Sequence, residues 1–596
     1  MVKGTVTCAD SNQPLPGVNV VEEGTSHGVI TDLDGKYEIE LTTEDAKLKI
    51  SFLGYSTELI KVVGRSIINI QLVPDMQQLE EVVVIGYGAV KKSDLTGSIS
   101  SVSFNRGGRN KQKCAPAMYI SNYDYEEFNT EGYSTIHENG FKDVKINPLS
   151  TFSIDVDAAS YSNIRRFINY GQKPPIDAVR IEEMVNYFTY DYPQPEDEHP
   201  FSINYEVGEC PWNKNNKLLH IGLQGEDIPT DNLPPSNLVF LIDVSGSMGS
   251  PNKLPLLKSA FKLLVNELRP NDRVAIVVYA GASGLVLPST KGSEKDKIID
   301  ALDKLHSGGS TAGAAGLRLA YNVAEKHFME EGNNRIILAT DGDFNVGQSS
   351  NAEMERLIEK EKEKGIFISV LGFGMGNYKD DKMEIIADKG NGNYAYIDNI
   401  QEAEKVFVNE FGGTLFTIAK DVKIQIEFNP VKVKEYRLVG YENRLLNEED
   451  FDNDKIDAGE LGSGHTVTAL YELVISETEA EKNDRLKYQT TVINNNATES
   501  NELATIKFRY KKPDGVKSQL IEEIIMDNRN TIEESSDNFR FSAAVAEFGM
   551  LLRDSEYLKD CSFDDMIQLA QHSKGKDEEG YRGEFIRLIK TAKVLK

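Results

Sequence analysis

Between residues 236 and 415, short apolar runs alternate with amphipathic helical stripes, and this alternation constrains the fold more than any other feature of the chain. Asn237–Ile242, Arg273–Tyr279, Arg335–Ala339 and Ile366–Gly372 read as buried strands, with shorter runs at Gly284–Leu287 and Asn393–Tyr396. Leu256, Leu257, Ala260, Phe261, Leu264 and Leu268 form one helical stripe over 254–268. Further helices fit 293–305, 314–328, 352–364, 379–389 and 401–411. Strands too apolar to face water on either side, each traded for a helix, predict a mainly parallel, doubly wound α/β sheet. Ligands of such sheets sit beyond the carboxyl ends of the strands.

The residues at those ends are hydroxyls and carboxylates. The first strand runs into Asp243-Val244-Ser245-Gly246-Ser247, a D-x-S-x-S pattern; Gly308-Gly309-Ser310-Thr311 precedes a helix; and the fourth strand runs into Thr340-Asp341-Gly342. Oxygen donors without neighbouring Cys or His favour a hard divalent cation. Taken together, these segments resemble the metal-ion-dependent adhesion site of von Willebrand factor type A domains. The resemblance implies that Ser245, Ser247 and Thr311 ligate directly, that Asp243 and Asp341 ligate directly or through water, and that the ion is Mg2+, Mn2+ or Ca2+. Asp343 reads as a flanking residue. A magnesium ion usually retains waters, leaving a position for an incoming ligand. A carboxylate of a protein partner suits that position.

The rest of the chain divides around this unit. Residues 1–75 show short β-branched runs every 8–12 residues, punctuated by Pro16-Gly17, Asp34-Gly35 and Gly54, which predicts a β-sandwich. The order of these turns and the Ser51-Phe52-Leu53-Gly54-Tyr55 strand resemble the carboxypeptidase regulatory-like domain; Asp32 and Asp34 read as turn formers. Residues 76–102, with Leu79-Glu80-Glu81-Val82-Val83-Val84-Ile85-Gly86-Tyr87-Gly88, look like the start of a TonB-dependent receptor plug, although the strands of a barrel do not follow. Residues 103–147, polar and aperiodic, read as a linker. Residues 148–235 and 416–596 flank the α/β unit, the latter β-rich and then helical. Strands at 201–209, 217–223, 422–429, 434–439, 466–475, 485–493 and 503–511 are expected to pair as one sandwich, with the α/β domain inserted between its halves. Helices are expected at 537–553, 562–571 and 580–592. Asp450, Asp452 and Asp454 have EF-hand-like spacing, but Lys455 and Leu461 stand where Gly and Glu are needed, so a solvated turn is expected. The segments Ser153-Ile154-Asp155-Val156-Asp157, Ile181-Glu182-Glu183-Met184, Cys210-Pro211-Trp212-Asn213 and Gly464-His465-Thr466 make residues 146–595 similar to the bacterial YfbK-type von Willebrand factor A proteins.

A chain of 596 residues exceeds the size of a single hydrophobic core, so several domains are required. Its 94 Asp and Glu against 66 Lys and Arg give a formal charge of −28, which disfavours nucleic acid and anionic lipid. Membrane-spanning helices are not expected, since long apolar stretches are absent. The four Cys are scattered at positions 8, 114, 210 and 561, without a CxxC pair. The first residues enter a strand without a signal peptide. Both N-terminal resemblances belong to Gram-negative envelope proteins, which implies a periplasmic or outer-membrane-associated protein whose native signal peptide is absent from this chain. Three functional readings follow: a non-enzymatic, cation-dependent protein-binding module; an accessory subunit of a TonB-dependent uptake system, with an outer-membrane receptor as partner; and a metal-dependent hydrolase. Ser245 has no paired His in sequence and the phosphate-binding Gly-x-x-x-x-Gly-Lys motif is missing, which sets the third last.

Overall fold

The computed structural model describes residues 1–73 and 131–595, except 10–13, 16, 24, 26–27, 33, 44–45, 53–54, 155–156, 230–232, 281–282, 310–312, 343, 345–350, 377, 411–415, 455, 457, 477–492, 495–496, 499, 514 and 529. The plug-like segment, most of the expected linker, the strand expected at 485–493, and Thr311 and Asp343 lie outside the described residues.

The N-terminal unit packs a three-stranded sheet (Lys36–Ile39, Val2–Cys8, Ile70–Leu72) and a four-stranded sheet (Gly28–Ile30, Asn19–Glu22, Lys47–Ser51, Glu58–Lys61) around one core that includes Val6, Val20, Tyr37, Ile50 and Leu72. The inward positions, alternating along Lys36–Ile39 and Lys47–Ser51, fill that core. Asp32 Oδ1 accepts from the backbone N–H of Asp34 and Lys36 at 3.0 and 2.8 Å, while Gly35 takes φ 72°, so these acids shape the turn as expected.

The α/β domain has the strand order Ser283–Lys291, Arg273–Tyr279, Ser236–Asp243, Asn333–Thr340, Ile366–Phe373, Tyr394–Ile397. All neighbours are parallel except the first pair, and in chain order the arrangement is 3-2-1-4-5-6. The two sheet faces are covered by separate cores, Leu238, Phe240 and Ile242 lying on one and Val239, Leu241 and Leu338 on the other. The strand order reverses at Ser236–Asp243, which places its carboxyl end at the crevice where such sheets bind ligands.

The flanking strands form the expected sandwich around the insertion. One sheet runs Phe201–Glu209, Lys217–Gly225, Thr466–Ile475, Val433–Val439, Lys142–Asp143. The other runs Gly459–Gly462, Thr417–Phe428, Glu502–Lys511, Gln519–Met526, with Leu149–Ser153 also paired to Thr417–Phe428. Leu219, Ile221 and Leu223 of the first sheet share a core with Ile424, Ile426 and Phe508 of the second. Lys217–Gly225 precedes the α/β domain and pairs with Thr466–Ile475, which follows it, so the insertion is real in space as well as in sequence. The helices Asp537–Arg553, Phe563–His572 and Tyr581–Leu595 bury their apolar stripes with Ala159–Asn169 and Ile181–Asn186. The single Trp is fully buried there, and Trp212 Nε1 donates to Glu472 at 3.0 Å, which also receives Arg437 at 2.8 Å.

Two expectations need correction. Residues 131–147, assigned to the linker, are packed. Glu131 is salt-bridged to Arg166 at 2.8 Å, Asn139 donates to the carbonyls of Leu438 and Gly440, and Lys142–Asp143 adds an edge strand. Their contacts run through side chains and a two-residue strand, which leave no periodic signature in sequence. The helix expected over 401–411 is α-helical only at Ile400–Glu404 and then widens into a π turn over Lys405–Asn409. In the acidic loop, Asp452 and Asp454 each pair with Arg509 through Oδ1, at 2.9 and 3.1 Å, and Asp450 Oδ2 accepts from the backbone N–H of Asn447.

Candidate metal centre and relationship to known proteins

Four of the five residues expected to hold a cation are described, and they meet at the carboxyl pole of the α/β sheet. Asp243 is the last residue of its strand and is fully buried. Its Oδ1 accepts from the backbone N–H of Ser245 at 2.8 Å, which folds the D-x-S-x-S segment back over the strand end. Ser245 Oγ and Ser247 Oγ lie 3.0 Å apart; Ser245 is buried and Ser247 faces solvent. The Gly308-Gly309 loop is tied to the same turn, Gly308 N–H donating to Val244 O at 2.7 Å and Gly246 N–H to Gly309 O at 3.0 Å.

Asp341 enters from the adjacent strand Asn333–Thr340 and is 2% exposed. Gly342 (φ 93°) follows it because the backbone of Tyr378 and Lys379 passes too close for a side chain: a Cβ there would lie 2.6 Å from Lys379 N. Burial pushes the Asp243 carboxyl up to about 6; the Ser245 hydrogen bonds oppose this and the nearby Asp341 charge adds to it.

Sequence reasoning missed one member of the site. Lys253 Nζ is 2.9 Å from Asp341 Oδ2, with its side chain only 11% exposed. Gly374 (φ 80°), just after the strand Ile366–Phe373, makes room for the lysine stem, since a Cβ there would stand 2.3 Å from Lys253 Cε. Nothing in the spacing of Lys253 from Asp243 announces it; only the fold brings it to the neighbouring strand end. Its ammonium shows that this pole favours positive charge. Two carboxylates and two hydroxyls converging there fit a hard cation by donor type.

A second acidic cluster also went unforeseen. Asp157, Glu183 and Glu384, all buried, bring carboxylate oxygens within 4.8 Å of one another between the flanking region and the α/β domain. Arg180 bridges Glu183 and Asp380, and Arg444 reaches Asp157 at 3.3 Å and Asp388 at 2.8 Å, so guanidinium groups brace it.

Comparison with known proteins agrees with this architecture. The family model described as "von Willebrand factor type A domain" matches residues 237–409, and "CarboxypepD_reg-like domain" matches 2–84. "von Willebrand factor" matches 127–220, and "Uncharacterized protein YfbK, C-terminal" matches 413–595. YfbK of Escherichia coli (strain K12) is 48% identical over 470 residues, covering 78% of this chain and 81% of that protein. The chain belongs to the YfbK family. TonB-dependent receptor P3 of Formosa agariphila is 48% identical over 101 residues, which are 17% of this chain and only 10% of the receptor. Among solved structures, the von Willebrand factor type A protein from Catenulispora acidiphila aligns over 65% of this chain and 89% of its own, with 15% identity and a TM-score of 0.36. The YfbK-family chain is thus multidomain, with a von Willebrand factor type A domain of the kind that mediates protein interactions, and with a receptor-like N-terminal segment. No helix among the described residues is long and apolar enough to cross a membrane.

Proposed function

We propose that this chain is a non-enzymatic protein-binding component of the bacterial cell envelope. Asp243, Ser245, Ser247, Thr311 and Asp341 hold a divalent cation, magnesium by preference, and an acidic residue of a partner protein completes its coordination. The observation that carries this reading is the arrangement at the carboxyl pole: buried Asp243 and Asp341 beneath an exposed Ser247. Carboxylates below hold an ion and leave its outer side toward solvent, where a partner approaches. Hydroxyls in place of further carboxylates keep the ion electrophilic toward an incoming carboxylate. Ser245 Oγ is bonded to Ser247 Oγ rather than to an imidazole, which supports binding over nucleophilic hydrolysis.

The test is a pull-down from a Gram-negative envelope fraction, with the parent chain and Asp243→Ala, in magnesium and in chelator. Partner capture only by the parent in magnesium supports the reading; equal capture in all four conditions sinks it. A second reading, an accessory role beside a TonB-dependent receptor, draws on the 101-residue similarity to receptor P3. Co-purification of a barrel receptor that persists in chelator, and is lost on deleting residues 1–102, would favour that reading.

A further inference from the structure

A polar cavity of about 240 Å³ lies where the α/β domain meets the flanking sandwich. Arg335 and Asn391 line it from the α/β side, and Leu445 and Glu460 from the sandwich side. Arg335 sits near the start of the strand Asn333–Thr340, in register with Leu238 and Phe367 on its two neighbours, and is only 2% exposed.

Its bonding is incomplete. Nη1 donates to Ser369 Oγ at 2.7 Å and the guanidinium lies 5.5 Å from the Phe367 ring centroid. Nε has no acceptor, and no ion pair reaches Arg335 among the described residues. The missing ion pair sets it apart from other deeply buried arginines: Arg165 meets Asp398 and Glu402, and Arg437, whose Nε also lacks an acceptor, meets Glu138 and Glu472. Burial pulls the Arg335 guanidinium down to about 10, with Glu460 opposing, so it is charged at neutral pH. A buried guanidinium with an unfilled donor edge is costly unless an acceptor fills it.

The remaining charges of the cavity are engaged. Arg444 is bound to Asp157 and Asp388, and Glu460 receives Asn391 Nδ2 and Thr417 Oγ1. His465 lines the same cavity, and burial holds its imidazole below the usual histidine range, with Glu410 opposing. The geometry points to a binding site for a small oxyanion, a carboxylate or a phosphate group, whose oxygens occupy the open Nε edge of Arg335. A guanidinium edge presents parallel N–H donors matched to such oxygens. Asp388 and Glu460 in the walls disfavour multiply charged anions, so the ligand carries about one negative charge at the recognised group. The site is distinct from the cation pole and does not depend on the function proposed for it.

The full chain, in chelator, would be titrated calorimetrically with acetate and with inorganic phosphate, with chloride at matched ionic strength as the control. Saturable binding of one oxyanion, absent with chloride, is expected, and which of the two binds identifies the ligand as carboxylate or phosphate. Arg335→Gln should weaken it about tenfold or more, the loss of a charge-assisted hydrogen bond. Glu460→Gln should tighten it by removing a like charge, and this variant decides the question if Arg335→Gln does not fold. Absence of saturable binding to the parent overturns the inference, as does unchanged affinity in Arg335→Gln or, where that variant is unfolded, in Glu460→Gln.

Discussion

Replacing Lys253 by Met isolates what the lysine does at the cation pole. Its ammonium stands 2.9 Å from Asp341 Oδ2, and the two side chains are 11% and 1% exposed. Removing the cationic partner of a pair this buried costs about 3–5 kcal/mol. Asp243 lies nearby, so the metal-free variant also holds two buried like charges. A divalent cation that takes Asp341 as a ligand must break the lysine contact in the parent but not in Lys253→Met. Charge-assisted bonds contribute about 1.5–3 kcal/mol, so the variant should bind magnesium roughly ten- to hundredfold more tightly. Thermal melts of the variant in chelator should fall well below the parent, and saturating magnesium should recover most of the difference. Calorimetric titration gives the affinity directly. Magnesium affinity within twofold of the parent, or a melting loss that is identical with and without magnesium, would refute Asp341 as a cation ligand guarded by Lys253.

Other consequences are simpler to state. Asp243→Ala should abolish magnesium binding by calorimetry while leaving the circular dichroism spectrum intact, because the sheet core of Val239, Leu241 and Leu338 does not include it. Glu547, 3% exposed on the helix Asp537–Arg553, is pushed up to about 7 by burial, with Asp565 adding and a Cys561 hydrogen bond opposing. The fold therefore holds a proton that the unfolded chain releases from about pH 4.5, and stability falls as pH rises from there through 7. Glu547→Gln removes that fall and should gain up to ~3 kcal/mol at pH 8 in urea denaturation, from 2.5 pH units at ~1.36 kcal/mol each; an unchanged pH profile would count against it. Trypsin should spare Lys142 and Lys145 until global unfolding, because the strand Lys142–Asp143 and its neighbours are packed; early cleavage there would restore the linker reading.

What could be read from sequence was whatever periodicity encodes. The helix 537–553 was placed to the residue, because a buried stripe of Phe541, Ala544, Val545 and Phe548 runs its whole length. The oxygen-rich strand ends were found because strand, turn and helix succeed one another within a few residues. The sequence places a strand only over Gly284–Leu287, yet it runs from Ser283 to Lys291 and includes Pro288. Proline is tolerated there because the strand is at the sheet edge, and the register shifts near Leu287 absorb it. Lys253, Arg335 and the Asp157–Glu183–Glu384 cluster were invisible for a different reason. Each acquires its meaning from residues far away in the chain; even Arg335, which opens a run read as a buried strand, gives no sign in sequence of what faces it.

The strand Asn333–Thr340 carries Arg335 near its start and delivers Asp341 just past its end, so the oxyanion cavity and the cation pole sit on one rod. Six residues at ~3.3 Å each separate them by ~20 Å. The strand between is fully buried and hydrogen-bonded on both sides, to Ser236–Asp243 and to Ile366–Phe373. Coupling between distant sites needs an element with two arrangements that each ligand biases differently. A central parallel strand locked on both edges offers only one. Arg165, which joins Asp398 and Glu402 of the α/β domain to Glu584 of the last helix, fixes the flanks against the insertion in the same way. The two sites should therefore bind independently, as separations well beyond 10 Å usually give additive energies. Magnesium affinity measured with and without saturating oxyanion should agree within about twofold. A larger difference would mean that the interface between the inserted domain and the sandwich moves, and that occupancy of the cavity is a signal to the partner-binding pole.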